Sequence, residues 1–154
     1  LARLAEAWPD ITVISSDQHA GPTRDTGKRA AENLLNRFGT DLDGVFVVNE
    51  TSTRGMLLAL QDTQLAGRIR FLGFDGTPAY AEAVRAGEMD GFVIQDPFRM
   101  AGLAVETMVS HILGETVPPR VDTGVLVVTA ENLETPEAQR LLHPPLDEYL
   151  PGRQ

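Results

Sequence analysis

Three apolar runs in the sequence each end in a polar side chain that a β-strand does not require. Asn49 and Glu50 follow the run at 44–48, and Asp75 and Gln95 follow the two later runs. Asn, Asp and Gln side chains offer hydrogen-bond donors and acceptors in fixed directions. Such a set suits a neutral polyhydroxylated molecule, because each hydroxyl both donates and accepts a hydrogen bond.

Each of these side chains also has a structural alternative, because the residues that follow it begin a predicted helix. The candidate helix caps are Thr51 or Ser52, Thr77 with Pro78 at the first helical position, and Asp96. Asp75 could also be a turn residue. Three separate coincidences would be needed to explain the pattern without a ligand, so the pattern favours a binding site.

The order of elements predicts that these side chains lie together. The predicted helices cover residues 1–8, 23–38, 51–65, 78–86 and 97–113, and the predicted strands cover 11–15, 44–48, 69–74, 91–95 and an extended segment at 121–129. Alternation of helices with uniformly apolar strands predicts an α/β fold, a doubly wound parallel sheet with helices on both faces. Ligands bind such sheets at the carboxyl ends of the strands.

Composition excludes several function classes. The 154 residues have the size of one domain and carry a formal net charge of −9, which disfavours nucleic acid and anionic membrane surfaces as partners. The absence of cysteine excludes disulfides and thiolate metal sites. No phosphate-binding glycine motif occurs and no cofactor is predicted. No metal site is predicted either, because no two of the three histidines have metal-ligand spacing; they are His19, His111 (expected at the surface) and His143.

Catalysis stays open as an alternative, since Glu50 and Asp75 could act as acid and base. No Ser-His-Asp spacing supports it, and we expect a protein that is not an enzyme. His19 follows the run at 11–15, in a loop where it could contact a ligand.

Several motifs resemble, in order and spacing, the C-terminal half of ribose-type periplasmic sugar-binding proteins, the solute receptors of bacterial ABC importers. They are VFVVNE, GMLLALQD, RIRFLGFDGTP, AVRAGEMDGFVIQDPFRMAGLAVE and LGETVPPRVDTGVLVVTAENL. The resemblance implies two α/β lobes that close over a sugar or polyol. It implies that Asn49, Asp75 and Gln95 contact sugar hydroxyls, that a membrane permease is a partner, and that the parent is periplasmic or lipid-anchored with a signal peptide.

The sequence departs from this family in the loop at 18–24, which lacks the aromatic residue that stacks on the sugar. His19 or Arg24 is expected to substitute, and Glu50 is a further candidate contact. The effector-binding domain of a LacI-type repressor, which shares the fold, is the alternative function.

The family pattern also implies that this chain is a fragment. Residues 1–95 would form most of the C-terminal lobe without its first strand, 96–118 a helix that packs on the N-terminal lobe, and 119–154 a hinge crossover and tail. The chain starts inside a helical pattern at Leu1, without a helix cap. We therefore expect the remaining N-terminal part of the same protein to be a partner. We also expect the apolar face of helix 97–113 to lack its packing surface.

Overall fold

The computed structural model describes residues 1–146, apart from the side chain of Thr40. The helices are α1 (Ala2–Ala7), α2 (Arg24–Phe38), α3 (Glu50–Asp62), α4 (Pro78–Arg85), α5 (Pro97–Ile112) and α6 (Pro136–Leu142), and the strands are β1 (Gly44–Phe46), β2 (Arg70–Phe74), β3 (Gly91–Ile94) and β4 (Leu126–Thr129). None of the helices described here is long and apolar enough to cross a membrane.

The four strands form one sheet in the order β1-β2-β3-β4. The first three are parallel, and β4 runs antiparallel to β3. The α/β fold with a mostly parallel sheet is thereby confirmed. The carboxyl ends of β1, β2 and β3 lie at the same edge, so the residues that follow them are neighbours.

The hydrophobic core lies on one face of the sheet. Phe71 of β2, Phe92 of β3 and Val128 of β4 are fully buried there. A Cβ atom at Gly73 would overlap side chains of Thr53 and Met89, so the missing side chain lets α3 approach β2 closely. Helices α4 and α6 cover the same face.

Helix α2 packs against α3 rather than directly on the sheet. The two backbones meet at Gly27 and Gly55, where an added Cβ on either glycine would press on the backbone of the other helix. Ala31 and Leu35 of α2 are buried beside this contact. Thr23 starts α2 with a capping box, since its hydroxyl and that of Thr26 each accept the backbone N–H of the other residue.

The opposite face of the sheet is exposed, so the prediction of cover on both faces is wrong for the described residues. Phe46 and Val48, from the run at 44–48, are 58% and 66% exposed, and Leu72 and Val127 are exposed beside them. Apolar composition indicates that a strand can be buried on both sides. It does not supply the element that buries it, and no described helix packs here.

The predicted strand at 11–15 is also wrong. These residues have no regular structure, and Ile11, Val13 and Ile14 are exposed. A strand needs a hydrogen-bonded neighbour, and β-branched composition alone does not provide one. In the described part of the chain β1 pairs with β2 alone, so its outer edge is free.

Two findings concern the C-terminal part. None of the residues of α5 is buried, and Met108 and Ile112 are 60% and 73% exposed, which confirms the prediction of an unpacked apolar face. Helix α6 was not predicted; Thr135 caps it, and Ala138 and Leu142 anchor it in the core. Residues 147–154, the end of the predicted tail, lie outside the described residues.

Candidate functional site

Asn49 lies just after β1 and starts helix α3. Its side-chain oxygen Oδ1 accepts the backbone N–H of Ser52 and the hydroxyl of Thr51, both at 3.0 Å. Asn49 is thus itself the cap that the sequence assigned to Thr51 or Ser52. Within the described chain the side-chain nitrogen Nδ2 has no hydrogen-bond partner, and the residue is exposed. The fold therefore uses the acceptor of this side chain and leaves its two donors free.

Asp75 occupies the corresponding position after β2. Its backbone is in the left-handed region, with φ of 66°, which Asp tolerates better than most side chains. Carboxylate oxygen Oδ2 accepts the backbone N–H of Glu50 at 3.1 Å. Among residues 1–146 nothing donates to Oδ1, and the side chain is half-buried. The helix cap next to Asp75 is Thr77, followed by Pro78, as the structural alternative predicted.

Two further side chains fasten the start of α3 to the β2–α4 segment. The buried hydroxyl of Tyr80 donates to the carbonyl oxygen of Glu50 at 2.8 Å. The buried hydroxyl of Thr53 donates to the carbonyl of Asn49 at 2.7 Å and accepts the N–H of Phe74 at 3.0 Å. These bonds fix the separation of the turn at Asn49 from the turn at Asp75.

Charged side chains surround the hydroxyl of Tyr80. Burial raises the pKa of Tyr80, and the negative charges of Glu50 and Asp75 raise it further, whereas Arg54 and Arg24 oppose the shift. Tyr80 and Arg54 were missed in the sequence. Tyr80 is at a core position of a helix and Arg54 lies within a helical run, so neither pattern distinguishes them from ordinary helix residues.

Arg24 and Glu50, both predicted site residues, are brought together. Arg24 Nη2 lies 3.6 Å from Glu50 Oε1, with the Arg24 side chain 67% exposed. The pair joins the first turn of α2 to the first turn of α3. Four of the six predicted residues, Arg24, Asn49, Glu50 and Asp75, therefore form one group linked by contacts.

Gln95 follows β3 at the same edge of the sheet. Its side chain is half-buried and makes no hydrogen bond within the described residues. As predicted, Asp96 is the cap of the following helix: Asp96 Oδ1 accepts the N–H of Arg99 at 3.0 Å. Arg140 of α6 lies 3.3 Å from Asp96 Oδ2. Gln95 is therefore free of a capping role.

His19 is not brought to this group by any contact in the described structure. It is exposed in the irregular segment that follows residues 11–15. The neighbouring Asp17 accepts hydrogen bonds from Gln18 and Ser15. The Gln18 bond is the main cause that lowers the pKa of Asp17.

The free atoms of Asn49 and Asp75 are chemically complementary. Asn49 offers N–H donors and Asp75 offers a carboxylate acceptor, on the ends of adjacent parallel strands. One hydroxyl group can accept from an amide and donate to a carboxylate at the same time. The amide of Gln95, on the next strand, adds one donor group and one acceptor.

The chain matches known proteins in sequence and in fold. A family model described as a periplasmic binding protein domain matches residues 1–116. The chain belongs to the periplasmic binding protein domain family. Relatives include the ribose import binding protein of Haemophilus influenzae, 28% identical over 116 residues (75% of this chain, 39% of the relative). The xylitol-binding protein of Mycolicibacterium smegmatis is 30% identical over 129 residues (82% of this chain, 36% of the relative).

A solved structure extends the match of this periplasmic binding protein domain to three dimensions. The carbohydrate transporter solute-binding protein from Agrobacterium radiobacter, in complex with D-arabinose, superposes with a TM-score of 0.80 at 27% identity. The alignment covers 92% of this chain and 47% of that one. The resemblance to ribose-type sugar-binding proteins is thereby confirmed. The chain spans between 36% and 42% of the length of the first curated relatives that it matches.

Proposed function

We propose that this chain forms one wall of a sugar- or polyol-binding cleft in the solute receptor of a bacterial ABC importer. The observation that carries the proposal is the pair Asn49 and Asp75, in which each side chain gives one atom to the fold and keeps one for a ligand. The cap uses only the acceptor of Asn49, so its amide donors and the second carboxylate oxygen of Asp75 remain available at the ends of two adjacent parallel strands. Gln95 completes the row.

The proposed ligand is neutral and hydroxyl-rich. Relatives named for ribose and xylitol, and a neighbouring structure with bound D-arabinose, support this class. Ionised Asp75 gives a charge-assisted hydrogen bond to a hydroxyl. Arg24 and Glu50 would line the rim of the cleft beside Asn49, and His19 would reach it only if its loop folds over the ligand.

The other wall would come from the remaining N-terminal part of the same protein. In this proposal residues 1–95 belong to the C-terminal lobe, 96–118 carry the helix that packs on the other lobe, and 119–154 form the crossover and tail. The exposed face of α5, the open face of the sheet and the free edge of β1 support a missing packing partner. The receptor would be periplasmic or lipid-anchored and would dock on a membrane permease.

Native mass spectrometry of the sample as prepared is the first test of the shared cleft. A species that contains this chain, a second polypeptide and a small added mass is expected if the receptor is divided. For this chain alone we expect weak or absent sugar affinity, because closure over a ligand draws on contacts from both lobes. Tight, saturable binding of ribose by calorimetry, with no partner present, would contradict the shared cleft.

The site itself is tested by titrating ribose, xylitol and D-arabinose at high concentration into the isotope-labelled chain. We expect the side-chain amide signals of Asn49 and Gln95 to shift, and Asp75→Asn to reduce the shifts. Asp90→Asn is the matched control, because Asp90 also accepts a backbone N–H, that of Phe71 at 2.8 Å, but before β3 at the opposite edge. Equal effects of the two substitutions would contradict the proposed site.

The receptor is proposed to bind without catalysis. In a binding site, Asp75→Asn should weaken binding in the assembled receptor by about 1–3 kcal/mol, the cost of an imperfectly satisfied polar group. In an enzyme that used Glu50 and Asp75 as acid and base, the same change should abolish turnover of a glycoside. Turnover by the unaltered protein would establish the enzymatic alternative.

A further inference from the structure

Both backbone polar groups of Glu50 are held by side chains from a different part of the chain. Asp75 Oδ2 accepts the Glu50 N–H at 3.1 Å, and the Tyr80 hydroxyl donates to the Glu50 carbonyl at 2.8 Å. This N–H is one of the first four of α3, which the helix itself cannot pair. The contacts span 25 and 30 residues of sequence.

Tyr80 is rigid enough to act as a fixed point. It is fully buried, and its ring lies 6.2 Å from that of Phe92, with the ring planes tilted by 56°. Its backbone N–H is bonded to the hydroxyl of Thr77, so the residue is also fixed in the first turn of α4. The buried ring could not follow a movement of the Glu50 carbonyl, so such a movement would break the hydrogen bond from Tyr80.

We propose that Tyr80 is a positioning residue that sets the placement of the free Asn49 amide relative to the Asp75 carboxylate. Tyr80 touches no ligand in this scheme; it holds the carbonyl of Glu50, the residue that follows Asn49 directly along the chain. The role in ligand selection rests on the proposed function, whereas the mechanical role is a property of the fold.

Tyr80→Phe tests the proposal because it keeps the ring and removes only the hydroxyl. In hydrogen-exchange measurements on the full chain, we expect the amides of Ser52 and Thr53 to exchange about two- to tenfold faster, the effect of one lost hydrogen bond. The amide of Phe71, in the sheet, should keep its rate. A structural role alone would accelerate Phe71 by the same factor.

Thr63→Val is the matched control. The Thr63 hydroxyl donates to the Ala59 carbonyl at 2.7 Å, so this isosteric change also removes one hydroxyl bond to a carbonyl of α3, but at its other end. We expect Thr63→Val to leave the Ser52 and Thr53 amides unchanged. Wild-type exchange rates at Ser52 and Thr53 in Tyr80→Phe, or equal acceleration in both variants, would overturn the proposal.

A second measurement separates this proposal from the proposed function. With D-arabinose as the probe, Tyr80→Phe should weaken the affinity by about two- to tenfold, and Thr63→Val should not change it. If the assembled receptor shows no response to D-arabinose at any concentration while the exchange pattern of the chain is as expected, the sugar site fails and the positioning of the Asn49 turn stands. If D-arabinose binds but both variants match the wild type in exchange and affinity, the site stands and Tyr80 has no positioning role.

Discussion

Substitution of Asp75 separates two effects of this residue on the stability of the fold. It accepts the Glu50 N–H with a carboxylate oxygen, and it occupies the left-handed region with φ of 66°. A hydrogen bond to a charged group contributes about 1.5–3 kcal/mol, and partial exposure of Asp75 places this one near the lower value. A Cβ in the left-handed region costs about 1 kcal/mol, less for Asn and Asp.

Three variants of Asp75 should therefore lose stability in a fixed order. Asp75→Asn keeps an acceptor and tolerates the backbone, so it should lose about 1 kcal/mol. Asp75→Gly loses the acceptor, and the backbone strain that it relieves is offset by the greater conformational entropy of glycine in the unfolded chain, for a net loss of about 1.5 kcal/mol. Asp75→Ala loses the acceptor and introduces a residue that tolerates the left-handed region less well than Asp, for a loss of about 2 kcal/mol. The free energy of unfolding, measured in urea, checks this order.

Gln64 supplies a matched control for the backbone contribution. It is the other non-glycine residue among 1–146 with positive φ, at 59°, and it is exposed with no side-chain hydrogen bond in the described structure. The stability difference between Gln64→Ala and Gln64→Gly should equal that between Asp75→Ala and Asp75→Gly. If Asp75→Gly is as stable as the wild type, the carboxylate bond to Glu50 contributes nothing and the reasoning fails.

Three further expectations follow from other features. The pKa of Tyr80 in the folded protein lies above the unfolded value of 10.0, so the contribution of Tyr80 to stability is complete below pH 10 and is lost as the pH rises above it. The free energy of unfolding in urea should therefore fall between pH 9 and 11 by up to about 1.4 kcal/mol per pH unit. Tyr80→Phe should lack this decrease. Gly55→Ala should destabilise by about 1–3 kcal/mol because α2 blocks the methyl group, whereas Gly102→Ala, with open space around it in α5, should stabilise by about 0.5–1 kcal/mol; thermal unfolding of both variants checks the sign. Phe46→Lys and Val127→Lys, on the exposed sheet face, should reduce the binding of an apolar dye and the self-association measured by ultracentrifugation. Unchanged values would show that this face does not mediate self-association.

The sheet edge could be predicted from the sequence because its signals are local. Apolar runs that end in Asn49, Asp75 and Gln95 require only the alternation of helix and strand to meet at one edge. The residue that caps α3 was harder to predict, since Asn49, Thr51 and Ser52 lie within four positions of one another and all suit a helix cap. The choice depends on where the helix axis must point to pack on β2.

Features that depend on distant contacts were not predictable. The bond from Tyr80 to the Glu50 carbonyl joins residues 30 positions apart, and a tyrosine on an apolar helix face looks like ordinary core. The strand prediction at 11–15 is wrong for the opposite reason. The β-branched residues there have the intrinsic preference of a strand, but in the described chain no neighbouring strand is present to realise it.

The shared use of Asn49 and Asp75 also has an entropic consequence. A polar side chain that is recruited from solution must surrender its rotational freedom when it meets a ligand, at about 0.5–1.5 kcal/mol for each side chain. Here hydrogen bonds from the Ser52 and Glu50 amides fix both side chains within the fold itself. A molecule that presents a hydroxyl in the right direction meets groups that need no reorganisation. One whose hydroxyl points elsewhere cannot induce them to follow.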